Sequence, residues 1–365
     1  MITLLVVVFA FAAFVYYVLH LPVFGRLPEG ERLARIKLLP NYKGDALDNI
    51  SLTPMKPEGV SYFMMFKALL KGNPNKLPPA ALPFVKPDFS DSPGTKITWF
   101  GHSSYLLQVE NVRILVDPVF SRSTSPFSFI GNRNFEGTDF IHAADFPEID
   151  VLVITHDHYD HMDYQSILQL KDKVKHVVTS IGVGQHLERW KLVASRITEL
   201  AWNETATVAG LKFTATPGRH FTGRSFQRNR TLWSSFVLES PAGKIFLGGD
   251  SGYDTHFKEI GEQHGPFELA LLECGQYHEY WPFIHMFPED TVKAAKDLKA
   301  RVLMPVHWGK FSLALHDWND SIIRVTNSAE EQQQLIATPM LGETVAVGAN
   351  YPVKKWWLNV RRAKQ

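Results

Sequence analysis

The sequence predicts an α/β (α+β) fold in which two packed sheets carry outer helices, preceded by a transmembrane helix and a proline-rich arm. Three features of the 365 residues support this order. An uncharged apolar run opens the chain, nine prolines fall between residues 40 and 93, and short β-branched segments follow from about Lys96. Because the first of these segments pair as hairpins and later ones alternate with helices, two packed sheets are favoured over a purely parallel sheet.

The apolar run extends from Ile2 to Leu19, 18 residues, which is near the lower limit for crossing a bilayer as a helix. It could be an uncleaved anchor formed by residues 1–24 or a cleaved signal peptide. The anchor is favoured, because no Lys or Arg precedes the run and no small-residue cleavage site follows Leu21. Basic residues outnumber acidic ones over residues 25–46, so the positive-inside rule predicts a single pass through a membrane, a bacterial inner membrane, with the bulk of the protein in the cytoplasm.

Residues 25–95 form the proline-rich arm. Proline lacks a backbone donor and fixes φ, so this stretch is predicted to be mostly irregular, with one short helix over Tyr62–Leu70. The arm could be a linker from the membrane to the domain, or it could pack on the domain near the site entrance. The sequence leaves both interpretations open.

Residues 96–347 are predicted to form one catalytic domain, and residues 348–365 a C-terminal tail. Strands are predicted at Ile97–Phe100, Ser104–Val109, Val112–Val116, Asp150–Thr155, Val174–Thr179, Lys212–Thr216, Leu232–Leu238, Lys244–Leu247, Leu269–Glu273 and Val302–Val306. Helices are predicted at Met162–Leu170, Val183–Trp190 and Glu289–Ala300, the last with Pro288 suited to its first turn.

Composition excludes several classes of protein. The formal net charge is +1, which gives no support to nucleic acid as a partner. The single cysteine, Cys274, excludes an intrachain disulfide framework. With 45% hydrophobic and 21% charged residues, the chain is neither disordered overall nor polytopic. The oligomeric state is left open.

Four potential metal ligands follow the predicted strand Asp150–Thr155 within six residues: His156, His158, Asp160 and His161. Imidazole nitrogens and a carboxylate oxygen are ligands that a borderline ion such as Zn²⁺ prefers. One ion is not easily surrounded by four ligands this close in sequence, whereas two ions, each taking a pair, relieve the crowding. An isolated histidine in such a loop is usually solvated, but the four together indicate a metal site.

Three further strands end in a possible ligand: His220, Asp250 and His307. Taken singly, a strand-terminal aspartate is more often a cap and a strand-terminal histidine a core residue. All three, coming after the tetrad, indicate a site that collects its ligands from several strand ends.

With Asp117 after Arg-Ile-Leu-Val, these motifs resemble in order those of the metallo-β-lactamase superfamily over residues 96–345. Within the superfamily, the sequence is similar to the phospholipases D that hydrolyse N-acylphosphatidylethanolamine. The motifs that carry this likeness are Gly101-His102, Asp117 to Ser121, His156 to Asp163, Gly249 to Tyr253, Gly265 to Phe267, His285 with Pro288-Glu289, and His307-Trp308-Gly309. The chain departs from the family's mammalian members in its long apolar run and in the loop from Arg219 to Arg230.

The resemblance implies a four-layer αββα metallo-β-lactamase sandwich with zinc as cofactor, two ions per chain. One zinc would be held by His156, His158 and His220. The second would be held by Asp160, His161 and His307, with Asp250 bridging the two. Asp117 would orient a ligand histidine from behind.

Two zinc ions about 3.5–4 Å apart can share a water and lower its pKa towards neutrality, which yields a hydroxide nucleophile. Asp160 and Asp250 leave the pair with net positive charge, so an anionic substrate such as a phosphodiester is favoured, and both count as catalytic. His285 could be a helix-entry or core histidine, or it could protonate the leaving oxygen or hold a phosphate. The family likeness favours the catalytic role.

Candidate substrate contacts carry alternatives of their own. Arg219 and Arg224, with Arg228 and Arg230, could be a solvated run or could bind a phosphate headgroup bidentately. His102 could contact substrate or belong to a purely structural Gly-His-Ser turn. Aromatic residues around the ligands, some of them core residues, add apolar surface suited to an amphiphilic phospholipid.

The predicted protein is a membrane-anchored dinuclear zinc hydrolase that converts N-acylphosphatidylethanolamine to a phosphatidic acid and an N-acylethanolamine. A lactone or ester hydrolase using the same metal site is the alternative enzyme. A catalytically idle membrane metal-binding protein is the alternative outside enzymes.

Overall fold

The computed structural model describes residues 1–91 and 93–361. Its helices are α1 Ile2–Leu19, α2 Gly30–Lys37, α3 Tyr62–Lys71, α4 Tyr164–Leu170, α5 Gly184–Arg189, α6 His256–Gln263, α7 Pro288–Asp297 and α8 Asp320–Glu331. Its strands are β1 Tyr42–Lys43, β2 Ala46–Leu47, β3 Thr95–Trp99, β4 Tyr105–Val109, β5 Val112–Val116, β6 Ile149–Ile154, β7 Val174–Ser180, β8 Ile197–Leu200, β9 Thr205–Val208, β10 Leu211–Thr216, β11 Ser235–Ser240, β12 Gly243–Leu247, β13 Phe267–Glu273, β14 Ala300–Val306, β15 Leu335–Ile336 and β16 Thr344–Ala346.

Two seven-stranded mixed sheets form the centre of the domain. The first has the order β16-β3-β4-β5-β6-β7-β8 and is antiparallel from β16 to β5 and parallel from β5 to β8. The second has the order β15-β14-β13-β12-β11-β10-β9 and is parallel from β15 to β12 and antiparallel from β12 to β9. The strands β3 to β5 therefore form the hairpins that the sequence predicted.

Helices cover the outer face of each sheet. Ile167 of α4 and Leu187 of α5 pack with the outward side chains of the first sheet, in a cluster separate from the main core. Val292 of α7 and Val325 of α8 belong to the main core, which also fills the space between the sheets. The four-layer αββα sandwich is thus confirmed, and its apolar faces are buried in the way such layering requires.

Element boundaries differ from the predictions where loop contacts override strand propensity. The strand predicted at Leu232–Leu238 begins only at Ser235, because Leu232 N donates to Ile181 O and Ser234 N donates to Thr155 O, both outside the sheet ladder. The elements that the sequence did not predict are α2, α6, α8, β1, β2, β8, β9, β15 and β16. Most of these are short or lie at a sheet edge, where periodicity is weak.

The chain enters the domain through α1, the one helix among the described residues that is long and apolar enough to cross a membrane. A cleaved signal sequence would pass the same test of length and composition. No residue of α1 is buried against the rest of the protein. The carbonyl of Pro22, just beyond it, accepts a hydrogen bond from Trp190 Nε1 at 2.7 Å, so the end of α1 is fixed to the domain.

Both terminal segments pack on the domain. In the arm, Ile36 and Leu47 are buried in a small cluster with Trp233. Near the other end, Trp356 and Trp357 are buried, and the ring of Trp356 stacks 5.4 Å from that of Trp308. These contacts bring part of the arm close to the ends of the strands that carry the predicted ligands.

Candidate metal centre

The predicted ligands meet at one edge of the sandwich. β6 leads into the loop of His156, His158, Asp160 and His161, while β10, β12 and β14 lead to His220, Asp250 and His307. β12 and β14 run in the same direction in their sheet, and β10 shares it because both β10 and β12 are antiparallel to β11. Their carboxyl ends therefore lie together, which explains why ligands far apart in sequence converge.

One group of ligand atoms consists of three histidines. His158 Nδ1 lies 2.9 Å from His156 Nε2 and 3.2 Å from His220 Nε2. Zinc–nitrogen bonds of about 2.0–2.1 Å in a tetrahedron place neighbouring ligand atoms about 3.3 Å apart. The three nitrogens are therefore spaced to share one ion with little movement.

A second group joins Asp160, His161 and His307. Asp160 Oδ2 lies 3.6 Å from His161 Nε2 and 3.3 Å from His307 Nε2. The loop after β6 supplies Asp160 and His161, and the end of β14 supplies His307, so this group forms only in the folded protein. The candidate ligands therefore fall into two neighbouring groups rather than one crowded site.

Asp250 lies between the two groups. Its Oδ2 is 3.1 Å from His161 Nε2 and 3.2 Å from His307 Nε2, and also 3.7 Å from His220 Nε2 and 4.0 Å from His156 Nε2. Its other oxygen, Oδ1, is buried without a hydrogen-bond partner in the described part of the chain. A buried carboxylate oxygen of this kind is costly unless a cation or donor meets it. The residues present therefore fit metal binding, and Asp250 is placed to contact either ligand group.

Hydrogen bonds behind the ligands fix which ring nitrogens face the centre. His161 Nδ1 donates to Asp117 Oδ2 at 2.7 Å, and His220 Nδ1 donates to Ile284 O at 2.8 Å. Thr155 Oγ1 donates its one proton to Asp117 Oδ2, so it accepts from His156 Nδ1 at 3.0 Å. In all three histidines Nε2 is therefore the nitrogen that faces the centre, in the usual pattern of metal-binding imidazoles.

Burial and neighbouring charges set the protonation of the site. Burial lowers the pKa of His156 and His220 well below its usual range, which favours the neutral imidazole that binds metals. Burial raises the pKa of Asp250, but the imidazoles of His161 and His307 more than offset this and hold it well below its usual range. Burial lowers the pKa of His161 and His307, but Asp250 and Asp160 more than offset this and raise it, to about 10 for His161 and well above its usual range for His307. The centre therefore combines neutral imidazoles with carboxylates that favour a positive charge beside them, as a cation bound there requires.

Strained backbone accompanies these residues. Asp117, His102 and His307 have φ of 41°, 53° and 65°, in the left-handed region that non-glycine residues rarely adopt. Each follows a strand end or a tight turn at the ligand edge. Such conformations persist where surrounding contacts enforce them, as they commonly do at functional sites.

A cleft of about 240 Å³ opens over the ligands. Its lining combines ligand atoms with apolar side chains: Met55, Met65, His158, Asp160, His220, Phe221, Asp250, Gln276, Trp281, Ile284, His285, His307 and Leu313. The structure therefore brings His285 to the ligand edge. His285 Nδ1 donates to Glu273 Oε2 at 2.6 Å, while Glu273 Oε1 accepts from the backbone N–H groups of Ser251 and Met286.

Three predicted substrate contacts are placed differently. His102 is fully buried, and its Nε2 lies 2.9 Å from Asp160 Oδ2, so it supports that carboxylate from behind. Burial lowers the pKa of His102 to about 3. Its ring nitrogen is also close enough to the second ligand group to count among its possible ligands. It has no surface on which to meet a substrate.

The two arginines are occupied by the protein itself. Arg224 is buried and donates to the carbonyls of Asp157, within the tetrad, and Met162, directly after it, at 2.8 Å each. Arg219 donates to Leu52 O in the arm, and its guanidinium lies 4.7 Å from the ring of Phe283. Neither lines the cleft. The headgroup contact expected of them is not seen, because both charges are used to hold loops against the ligand strands.

Sequence reasoning missed two residues beside the ligands. Asn49, in the arm, donates from Nδ2 to His220 O at 2.8 Å and accepts from His220 N at 3.0 Å, so its amide clamps the backbone of a ligand. Nothing in a proline-rich segment signals such a role. Glu273 could have been predicted, because it is an acidic residue at the end of β13 and Asp250 follows the neighbouring strand β12 at the same edge of the sheet.

Comparisons with known proteins agree with this geometry. A family model described as the beta-lactamase superfamily domain matches residues 112–308. An uncharacterized protein of Mycobacterium tuberculosis is 36% identical over 327 residues, covering 87% of each chain. N-acyl-phosphatidylethanolamine-hydrolyzing phospholipase D 1 of Caenorhabditis elegans is 29% identical over 247 residues, covering 63% of this chain and 68% of that protein. A metallo hydrolase from the archaeon Ignicoccus hospitalis matches in structure with a TM-score of 0.53 at 23% identity, covering 70% of this chain and 99% of the other, which shows a shared fold.

Proposed function

The chain belongs to the metallo-β-lactamase superfamily, and from that premise we propose that it is a membrane-anchored dinuclear zinc hydrolase of phospholipase D type. The proposed substrate is an N-acylphosphatidylethanolamine. Water attacks phosphorus, the bond from phosphorus to the ethanolamine oxygen breaks, and phosphatidic acid and an N-acylethanolamine leave. The relatives named for this activity support the substrate class.

The observation that carries the dinuclear proposal is the position of Asp250. Its Oδ2 lies within 4.0 Å of four imidazole nitrogens from both ligand groups, and its Oδ1 is buried without a partner. In the proposal, His156, His158 and His220 hold one zinc, and Asp160, His161 and His307 hold the other. When bound, two zinc ions supply Lewis-acid chemistry that activates water and stabilises charge on the phosphoryl group.

The chain's own residues would supply the remaining chemistry. Asp160 and Asp250 are acceptor-only when ionised, so they can hold cations. The charge of two divalent cations would outweigh that of the two carboxylates, so the cleft would keep net positive charge for an anionic phosphodiester. His285 Nδ1 donates to Glu273 Oε2, which orients the ring and leaves Nε2 as the nitrogen that can pass a proton to the leaving alkoxide. Asp117 and His102 keep His161 and Asp160 in place.

The apolar part of the cleft supports a lipid substrate. Met55, Met65, Trp281 and Ile284 lie beside the ligand atoms. They place apolar surface next to a site suited to a phosphodiester, as an amphiphilic substrate requires. A simple soluble ester would not need this surface.

We further propose that α1 is an uncleaved anchor and that the catalytic domain lies on the cytoplasmic side. The excess of basic residues after α1 supports this orientation. A C-terminal reporter that is active only in the cytoplasm should give a signal, and a reporter active only in the periplasm should not.

Product analysis tests the function. Purified full-length protein, stripped with a chelator and reloaded with zinc, is expected to bind about two zinc ions per chain. It should release N-acylethanolamine and phosphatidic acid from N-acylphosphatidylethanolamine vesicles, and the stripped protein should not. Faster opening of a lactone than of the phospholipid would favour the alternative hydrolase. No turnover on either substrate with full zinc would favour an idle metal-binding protein.

The clamp from the arm yields a separate prediction. Asn49→Ala removes both hydrogen bonds to the backbone of His220, so we expect zinc affinity at that ligand group to fall about ten-fold. Competition with a chromophoric chelator measures this affinity. Asn41→Ala is the matched control, because Asn41 bonds the carbonyl of Asp48 within the arm itself. Equal affinities in the two variants would show that the arm does not position the ligand.

A further inference from the structure

Helix α3 in the arm presents apolar side chains to the outside. Not one of its ten residues is buried. The exposed apolar residues are Tyr62, Phe63, Met64, Phe66, Leu69 and Leu70, with Phe63 74% and Leu70 71% exposed. A helix on the surface of a water-soluble domain turns its apolar stripe inwards, and exposed apolar patches of this kind mark interaction surfaces.

α3 is nevertheless a well-defined element. Ser61 Oγ accepts a hydrogen bond from Met64 N at 3.1 Å, which caps the first turn, and Gly72 follows the last turn with φ of 62°. Met65 points to the body of the protein and lines the metal cleft. The exposed face of α3 is thus the outer side of the cleft's rim.

The end of α1 lies at the same edge. Arg224 donates to the carbonyl of Val23, just beyond α1, and also to the carbonyls of Asp157 and Met162 in the ligand loop after β6. The segment after α1 lines one pocket with Phe127 and Phe129, and Phe129 and Ile130 are exposed. A helix that can cross a membrane therefore emerges next to the ligand loop and beside an exposed apolar loop.

Charge around α3 also fits a lipid surface. Residues 55–76 contain four lysines, Lys56, Lys67, Lys71 and Lys76, against the single acidic residue Glu58. Basic residues that flank an apolar helix are attracted to anionic headgroups while the apolar side chains enter the acyl boundary.

We propose that α3 is an interfacial helix that inserts into the same bilayer that α1 crosses. Together α3, the end of α1 and the exposed residues 129–130 form a membrane face. This face sets the opening of the metal cleft against the lipid surface, so that a phospholipid can enter without crossing water. The inference rests on the membrane anchor of the proposed function, and it assigns the occupant of α3 as lipid rather than a second copy of the chain.

Lipid-attached quenchers test this assignment on the full-length protein. Phe63→Cys and, separately, Leu70→Cys carry an environment-sensitive dye, and the native Cys274 is buried and escapes labelling. The labelled chains are reconstituted into vesicles of phosphatidylethanolamine and phosphatidylglycerol containing nitroxide-labelled acyl chains. Leu335→Cys is the control, because Leu335 is exposed and pairs with Val302 at the end of β14 opposite His307.

We expect nitroxide lipids to quench the dye at positions 63 and 70 about two-fold or more, and to leave the dye at position 335 largely unquenched. Equal, weak quenching at all three positions would overturn the proposal, because α3 would then be in water. A blue-shifted dye at positions 63 and 70 that is insensitive to nitroxide lipids but depends on protein density would also overturn it, in favour of a second copy.

The quenching does not depend on turnover, so it separates this inference from the proposed function. Quenched positions in a protein that releases no N-acylethanolamine would retain the membrane face and reject the substrate. For an active enzyme, Phe63→Ser/Leu70→Ser should lower the ratio of the rate on vesicles to the rate on a monomeric phosphodiester about five-fold relative to wild type. An unchanged ratio would contradict the role of α3 in lipid access.

Discussion

Asp250→Ala is expected to lower phosphodiester turnover by about 10³-fold or more and to weaken the binding of both metal ions. The Oδ2 atom of Asp250 approaches nitrogens of both ligand groups, those of His161 and His307 on one side and those of His156 and His220 on the other. Without it, two cations would face each other across buried imidazoles with less negative charge to hold them. Metal analysis and turnover of the folded variant measure the two effects.

Two other aspartates serve as controls for Asp250. Asp172 is exposed, so Asp172→Ala should leave metal content and turnover at wild-type levels. Asp163 follows the tetrad but caps α4 by accepting hydrogen bonds from Gln165 N and Ser166 N. Asp163→Ala should therefore cost about 1 kcal/mol or more of folding stability while the metal stays bound. A fully metal-loaded Asp250→Ala protein with turnover within ten-fold of wild type would refute the bridging role.

The ligand set could be predicted from sequence because the fold repeats one local pattern. A buried strand, recognisable from its β-branched residues, ends in a histidine or aspartate, and this happens at β6, β10, β12 and β14. Strand direction then brings those ends to one edge. His156, Asp250 and His307 could be identified in this way before any distance was known.

Residues whose role depends on packing between distant segments could not be predicted in that way. Asn49 meets His220 across 171 positions of sequence, and no local pattern in a proline-rich arm encodes that contact. Asn49 is a contact that the sequence did not predict, whereas Arg224 is a predicted contact that the structure does not show. Its charge beside a ligand suggested a phosphate contact, but three backbone carbonyls take up the guanidinium. The sequence shows that an arginine is charged, but it does not show which backbone carbonyls will accept its hydrogen bonds in the folded protein.

The proline-rich arm contacts both the candidate metal centre and the outer surface of the protein. Its Asn49 holds a ligand backbone, its Met65 lines the cleft, and its α3 faces outwards with apolar side chains. One continuous segment therefore reaches both the backbone of a candidate ligand and the outer rim of the cleft. These contacts give a physical reason for ordered structure in a stretch that its composition marks as a linker.

His285→Ala is expected to slow cleavage of N-acylphosphatidylethanolamine about 10²–10³-fold. The leaving N-acylethanolamine is an alkoxide unless it receives a proton. His285 lines the cleft, with its ring centroid 5.0 Å from that of His220, and its Nδ1 donates to Glu273 Oε2 at 2.6 Å. This contact fixes the orientation of the ring and leaves Nε2 as the nitrogen that can pass a proton to the leaving group. His285 is not assigned to either zinc, so its loss should leave the metal content near two ions per chain.

A substrate with a better leaving group decides whether His285 acts as an acid. p-Nitrophenolate departs without protonation, so His285→Ala should slow hydrolysis of bis(p-nitrophenyl) phosphate less than about ten-fold, while the loss on the phospholipid stays large. His176→Ala, at an exposed position on β7, should change neither rate. Equal losses on both substrates would mean that His285 binds the phosphate or supports the cleft, because neither role depends on the leaving group. Glu273→Gln should reproduce part of the same selectivity, since a neutral amide accepts a weaker hydrogen bond from His285 Nδ1 than a carboxylate does and holds the ring less firmly.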